Sequence, residues 1–148
     1  MDFFFDALMI IHPEYGEPIN RYYKDNLKKR VNECYSSNKP VFLVDSDENP
    51  LRDKALIKLF KKSHLIPNFD ESEFIVKRQK EIDYICDTVH RSPSETILGF
   101  GGIHASCCVY TYALGWCEEV LTNFNPKFIG NIPKINPICQ GIILDDIV

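Results

Sequence analysis

No stretch of this sequence reads as an export signal, a nucleic-acid-binding tract or a zinc site. The opening Met1-Asp-Phe-Phe-Phe-Asp-Ala-Leu-Met-Ile-Ile is apolar, but it carries aspartates where a signal peptide needs positive charge, and it is too short to span a bilayer. The expected location is cytoplasmic, with no membrane partner. A large excess of one charge is also missing, since 17 Lys and Arg against 21 Asp and Glu leave a formal charge of -4. The basic residues are spread over helix faces rather than gathered with aromatic or glycine-rich segments, which argues against a nucleic-acid partner.

Cys-x-x-Cys pairs are absent from the six cysteines, Cys34, Cys86, Cys107, Cys108, Cys117 and Cys139. With no export signal and enough apolar residues for a core, they read as reduced thiols rather than a disulfide framework. Cys34, Cys86 and Cys117 fall on helical patterns, where a thiol packs as a small apolar group. Linkers and repeats are lacking too, so the 148 residues are expected to form one α/β domain over 1–148.

What is present is an alternation of apolar runs and amphipathic stretches. Ala7-Leu-Met-Ile-Ile reads as a buried strand stopped by His12-Pro13. Asn20 reads as the cap of a helix in which Tyr23, Leu27, Val31 and Cys34 recur at helical spacing. Val41-Phe-Leu-Val is a second buried strand running into Asp45-Ser-Asp-Glu-Asn, after which Asn49 and Pro50 read as cap and first turn of the next helix. Phe74-Ile-Val-Lys77 reads as a third strand, Ile82 to Val89 as a helix, and Thr96-Ile-Leu-Gly-Phe as a fourth strand. The helix after it begins near Ala105 and ends at Gly115 or runs toward Phe124; Val120–Thr122, Lys127–Ile132 and Gly141–Leu144 are weaker strand candidates. His64 and His90 read as surface residues at helix ends.

This alternation predicts a Rossmann-like α/β fold, a mostly parallel sheet with helices on both faces, in which the strands holding Leu8, Phe42, Ile75 and Ile97 are neighbours. Ligands of such sheets sit beyond the carboxyl ends of the strands. His12, Asp45 with Asp47, Lys77, and Cys107 with Cys108 all fall there. A thiol that follows a glycine turn at a helix start has amide donors and a positive dipole end beside it, and a nearby lysine would lower its pKa further. A histidine in reach could take its proton. The competing readings are bland: Cys108 as core packing, Lys77 as part of a solvated basic turn with Arg78 and Lys80, and His12 as a strand-end residue bonded to backbone.

The segment Gly102-Ile-His-Ala-Ser-Cys-Cys-Val109 resembles the Gly-x-x-Thr-x-x-Cys-Val turn of the isochorismatase-like cysteine hydrolases, a family that includes nicotinamidases. Ala7-Leu-Met-Ile-Ile-His12 is similar to that family's first strand and Phe74-Ile-Val-Lys77 to its lysine strand. The chain departs from the pattern at Ala105, where threonine is usual, and at His12, which takes the place of the catalytic aspartate. The resemblance implies a three-layer sandwich and a thioacyl mechanism on an amide or ester of a small metabolite. In it Cys108 attacks, Lys77 stabilises the thiolate and His12 moves the proton. It also implies a cis peptide at Ile103–His104 and an oxyanion site made by the amides of His104 and Cys108. No cofactor is expected, and the partner is a small-molecule substrate, with the protein alone or as a homo-oligomer. Glu14 and Asp6 are weaker substitutes for the missing aspartate.

Some nicotinamidase-like members hold a divalent ion through an Asp-x-His segment after the second strand, but Asp47 stands for that histidine in Asp45-Ser-Asp47. Two carboxylates without histidines are a weak zinc set, so no metal is assigned. Two alternatives stand beside the hydrolase: a catalytically degenerate relative kept as a binding or assembly module, and an unrelated α/β domain.

Overall fold

A computed structural model describes residues 4–14, 19–123 and 132–147. Among these residues the alternation read from the sequence becomes a sheet of six strands, all parallel: β1 (Ala7–Ile11), β2 (Val41–Val44), β3 (His64–Leu65), β4 (Ile97–Gly102), β5 (Cys117–Leu121) and β6 (Ile138–Ile143). Their order across the sheet is β3-β2-β1-β4-β6-β5. The chain winds outward from β1 through β2 to β3 and then returns to the other side of β1 for β4. That reversal makes the carboxyl edge around β1 a topological switch point.

Both faces of the sheet are covered, so the inner strands are apolar throughout rather than alternating. All five residues of β1 are buried. Ala7, Met9 and Ile11 face α3 (Phe74–Val89) and α4 (Tyr110–Trp116), while Leu8 and Ile10 face α1 (Arg21–Ser36) and α2 (Lys54–Leu59). Burying one Leu or Ile side chain contributes roughly 1.5–3 kcal/mol, which makes this two-sided strand the main organiser of the core. No helix among the described residues is long and apolar enough to cross a membrane.

Several elements form for the reasons expected. Asn20 Oδ1 accepts from the amide of Tyr23 at 2.8 Å and opens α1, whose buried residues are Tyr23, Leu27, Val31 and Cys34. Leu8 pairs with Val41 and Gly99, placing β2 and β4 on either side of β1. The helix after β4 stops at Trp116 and leads directly into β5. The weak candidates near Val120 and Gly141 are β5 and β6; Lys127–Ile132 lies outside the described residues, apart from Ile132 itself.

Three assignments are corrected. Phe74–Lys77 is the first turn of α3, not a strand, and the third strand is the two-residue β3 instead. β-propensity of Phe-Ile-Val loses because the segment continues into the helical repeat of Ile82, Ile85 and Cys86, and because the Arg78 guanidinium lies 4.6 Å over the Phe74 ring one turn earlier. Asn49-Pro50 does not open α2. Asp53 does, its Oδ1 accepting from Ala55 and Leu56 at 3.0 and 3.1 Å while Oδ2 takes Lys24 Nζ of α1 at 2.7 Å. Cys117 begins β5 rather than sitting on a helix, although it is buried as expected, as are Cys34 and Cys86. All six cysteines are free thiols. His64 lies exposed in β3, and His90 ends α3 in the left-handed region at φ 62°.

The glycine-rich end of β4 has a steric cause. A Cβ on Gly102, whose φ is 153°, would stand 2.0 Å from the Ile11 carbonyl oxygen, in backbone that cannot yield. At Gly99 it would meet only the Phe5 ring, at 3.0 Å. Gly102→Ala is therefore expected to destabilise the fold by about 1–3 kcal/mol or more, and Gly99→Ala by less. Chemical denaturation of the two variants checks this, and equal losses would refute the backbone clash as the cause.

Candidate functional site

At the carboxyl edge the first three strands end around one cleft of about 640 Å³. His12 stands at the end of β1, Val44 to Glu48 and Pro50 follow β2, and Leu65 to Asn68 close the end of β3. Lys77 and Glu81 of α3 and Tyr112 of α4 complete the wall.

His12 adopts φ 45°, a left-handed conformation that is costly for a residue preceding proline. Its amide donates to Val44 O at 2.8 Å, and its ring meets Tyr112 edge-on at 5.8 Å. Burial disfavours the imidazolium and lowers the His12 pKa from 6.5, with Asp45 opposing and His104 adding to the effect. Backbone outliers of this kind gather at working sites, and here the outlier faces the cleft.

Lys77 reaches the same cleft from the first turn of α3, and its Nζ donates to Asn68 Oδ1 at 3.2 Å. Asp45 is occupied locally: Oδ1 accepts from the amides of Ser46 and Leu51 at 3.0 and 3.2 Å, which winds the loop after β2. Asp47 is exposed at the rim. Among the described residues no group of three or more His, Cys, Asp or Glu is arranged for a metal ion. Glu14 and Asp6 serve the backbone. Glu14 Oε1 accepts from Arg52 and Asp53, both at 2.7 Å, and Asp6 Oδ2 accepts from Ile97 at 2.8 Å.

Cys108 lies on a π-turn, Ala105–Val109, between β4 and α4. It is half-buried and is not among the residues lining the cleft that holds His12 and Lys77. Burial pushes its thiol pKa up, Cys107 beside it pushes the same way, and only its own amide acts against them. The lowering by lysine expected from sequence is not among these influences. Two amides of the turn, those of Cys107 and Val109, are directed to His104 O at 3.2 and 3.1 Å. All peptide bonds among the described residues are trans, so the cis bond expected at Ile103–His104 is not formed.

The sequence reading missed the buried pair beneath the cleft. Glu81 is only 4% exposed. Its Oε1 accepts from Arg78 Nη1 and from Trp116 Nε1, the latter at 3.0 Å. The Arg78 guanidinium is held between the rings of Phe74 and Tyr112, at 4.6 and 4.7 Å. The signal available in the sequence was the single tryptophan, whose indole N–H needs an acceptor once buried. A glutamate one position before the apolar Ile82, with an arginine three residues back, supplies it.

Comparison with protein-family models, curated proteins and solved structures finds no match to this chain.

Two measurements bear on these groups. Glu81→Ala leaves Arg78 buried without its counter-charge and is expected to cost about 3–5 kcal/mol in urea unfolding. The His12 pKa is lower folded than unfolded, so the folded state resists its protonation. Its contribution is intact above pH 6.5 and is lost as the pH falls through the folded value. Replacing His12 by Gln should flatten that part of the stability profile, and an NMR titration of His12 at or above 6.5 would contradict the assignment.

Proposed function

We propose that the domain binds a small polar molecule in the cleft at the carboxyl edge of its sheet, as a catalytically degenerate relative of the isochorismatase-like hydrolases. The observation that carries this reading is the separation of roles. His12 and Lys77 line the cleft, whereas Cys108 does not, and its thiol is held protonated by burial. A nucleophile needs its thiolate, and of the groups acting on Cys108 only its own amide favours that form. The cleft itself has the composition of a ligand site: apolar walls from Val44, Leu65 and Ile66, and a few polar groups converging from different elements.

A second reading keeps the hydrolase. It is favoured by Tyr112, which meets the His12 ring on one side and lies within electrostatic reach of Cys108 on the other. In that reading Cys108 attacks the carbonyl carbon of an amide or ester and His12 passes the thiol proton to the departing amine or alcohol. Water then cleaves the thioester, while Lys77 supports the anionic sulfur.

Labelling with a mild electrophile across pH separates the two, in a Cys107→Ser, Cys139→Ser background that removes the other exposed thiols, with Cys108→Ala as control. The binding reading expects Cys108 labelling to begin only above the ordinary thiol range. Fast labelling at neutral pH, lost in the Lys77→Ala variant, would overturn it in favour of the hydrolase.

A further inference from the structure

The charge and hydrogen-bonding state of the cleft narrow its ligand. Glu81 lines the cleft with a side chain only 5% exposed. Both of its hydrogen bonds, from Arg78 and Trp116, go to Oε1; Oε2 takes none among the described residues. Oε2 is not among the fully buried atoms left without a partner, so it still reaches the surface, and its unused acceptor capacity is what a donor group on a ligand would meet. Arg78 cannot swing across to fill it while its guanidinium is stacked between Phe74 and Tyr112.

The remaining charges set the sign of that donor. Among the described residues, Asp45, Asp47, Glu48 and Glu81 line the cleft against one cation, Lys77. Cancelling Glu81 against Arg78, and one further carboxylate against Lys77, leaves two negative charges around the opening. His12 adds no positive charge at neutral pH, because burial keeps its ring neutral. An anionic ligand would enter a repulsive field; a cation would be drawn in. The walls of Leu65, Ile66 and Pro67 and the Tyr112 ring suit an apolar or aromatic body carrying that charge.

Resting on the reading of this cleft as a ligand site, we propose that its ligand is an organic cation, an ammonium or amidinium group on an apolar body, seated with its N–H donors on Glu81 Oε2. A donor so placed makes a charge-assisted bond in a partly desolvated site, the setting in which such bonds are strongest.

The test uses three probes of one shape: benzamidine (cationic), benzamide (neutral) and benzoate (anionic), titrated into the full chain and followed by backbone amide shifts. The expected result is binding mapped to His12, Ile66 and Tyr112, with benzamidine about tenfold tighter than benzamide and benzoate weakest at low salt. Glu81→Gln keeps an acceptor for Trp116 and should abolish the preference. Because that variant also touches a buried pair, the exposed double variant Asp47→Asn with Glu48→Gln is measured beside it. It should narrow the preference about threefold, as should added salt. Benzamide equal to benzamidine, or benzoate tighter than either, would overturn the cationic assignment and leave the cleft as a ligand site. Absence of cleft shifts with all three probes would overturn the ligand-site reading as well.

Discussion

The backbone contact between Ile11 and Gly102 is the constraint on which the arrangement of the carboxyl edge depends. β1 and β4 run parallel with these residues in register, and the Ile11 carbonyl occupies the volume a Cβ on Gly102 would need. With the two strand ends locked this closely, the chain must leave them in different directions. After β1 it turns through His12 in a left-handed conformation and goes on to α1 on one face. After β4 it turns through the π-turn into α4 on the other. The cleft forms on the β1-β2-β3 side of this divergence, with the left-handed His12 at its edge.

A second interaction determines what the cleft is made of. Arg78, Glu81 and Trp116 bind α3 to α4 beneath it, and Tyr112 and Phe74 hold the guanidinium from both faces. Burying two charges is costly, and their attraction repays the cost only when hydrogen bonds satisfy the groups. Here Glu81 Oε1 is doubly satisfied, while Arg78 Nε is buried without a hydrogen-bond partner. Such a pair is poor economy as a source of stability alone. It does fix the angle of α3 against α4, and through them the positions of Lys77 and Tyr112, which lie one turn before Glu81 and Trp116 respectively.

The parts of the fold legible in the sequence were those in which local pattern and tertiary context agree. The apolar run at Ala7–Ile11, the Asn20 cap with its stripe through Cys34, and the strand leading to Gly102 carry strong periodic or capping signals, and neighbours reinforce them. Phe74–Lys77 was misread because three β-formers in a row look like a buried strand, whereas Phe74 and Ile75 are exposed on a helix whose apolar face starts later. The true third strand, His64–Leu65, is too short to show any period at all. At the site, His12, Asp45 and Asp47 were legible because strand ends in parallel sheets converge, whereas Lys77 reaches the same cleft from the first turn of α3 and not from a strand end. Glu81 was not, since the single tryptophan calls for an acceptor but does not pick out Glu81 until α3 and α4 are placed side by side.

Cys108 shows where a positional argument stops. The sequence places it after a glycine turn at the start of a helix, a setting that supplies amide donors and a favourable dipole. Both advantages depend on what the turn does with its amides. In a π-turn the pattern widens to i→i+5, and here the amides of Cys107 and Val109 converge on the carbonyl of His104. Those two donors serve the turn, while the amide of Cys108 itself acts on the sulfur and favours the thiolate. The dipole is also carried by a helix of seven residues, Tyr110–Trp116, which begins only after the thiol. Against that one amide stand apolar packing and a second thiol, and both favour the protonated form. The charged residues of this edge, Asp45, Asp47, Glu48, Lys77 and Glu81, line the cleft beside it and not the thiol.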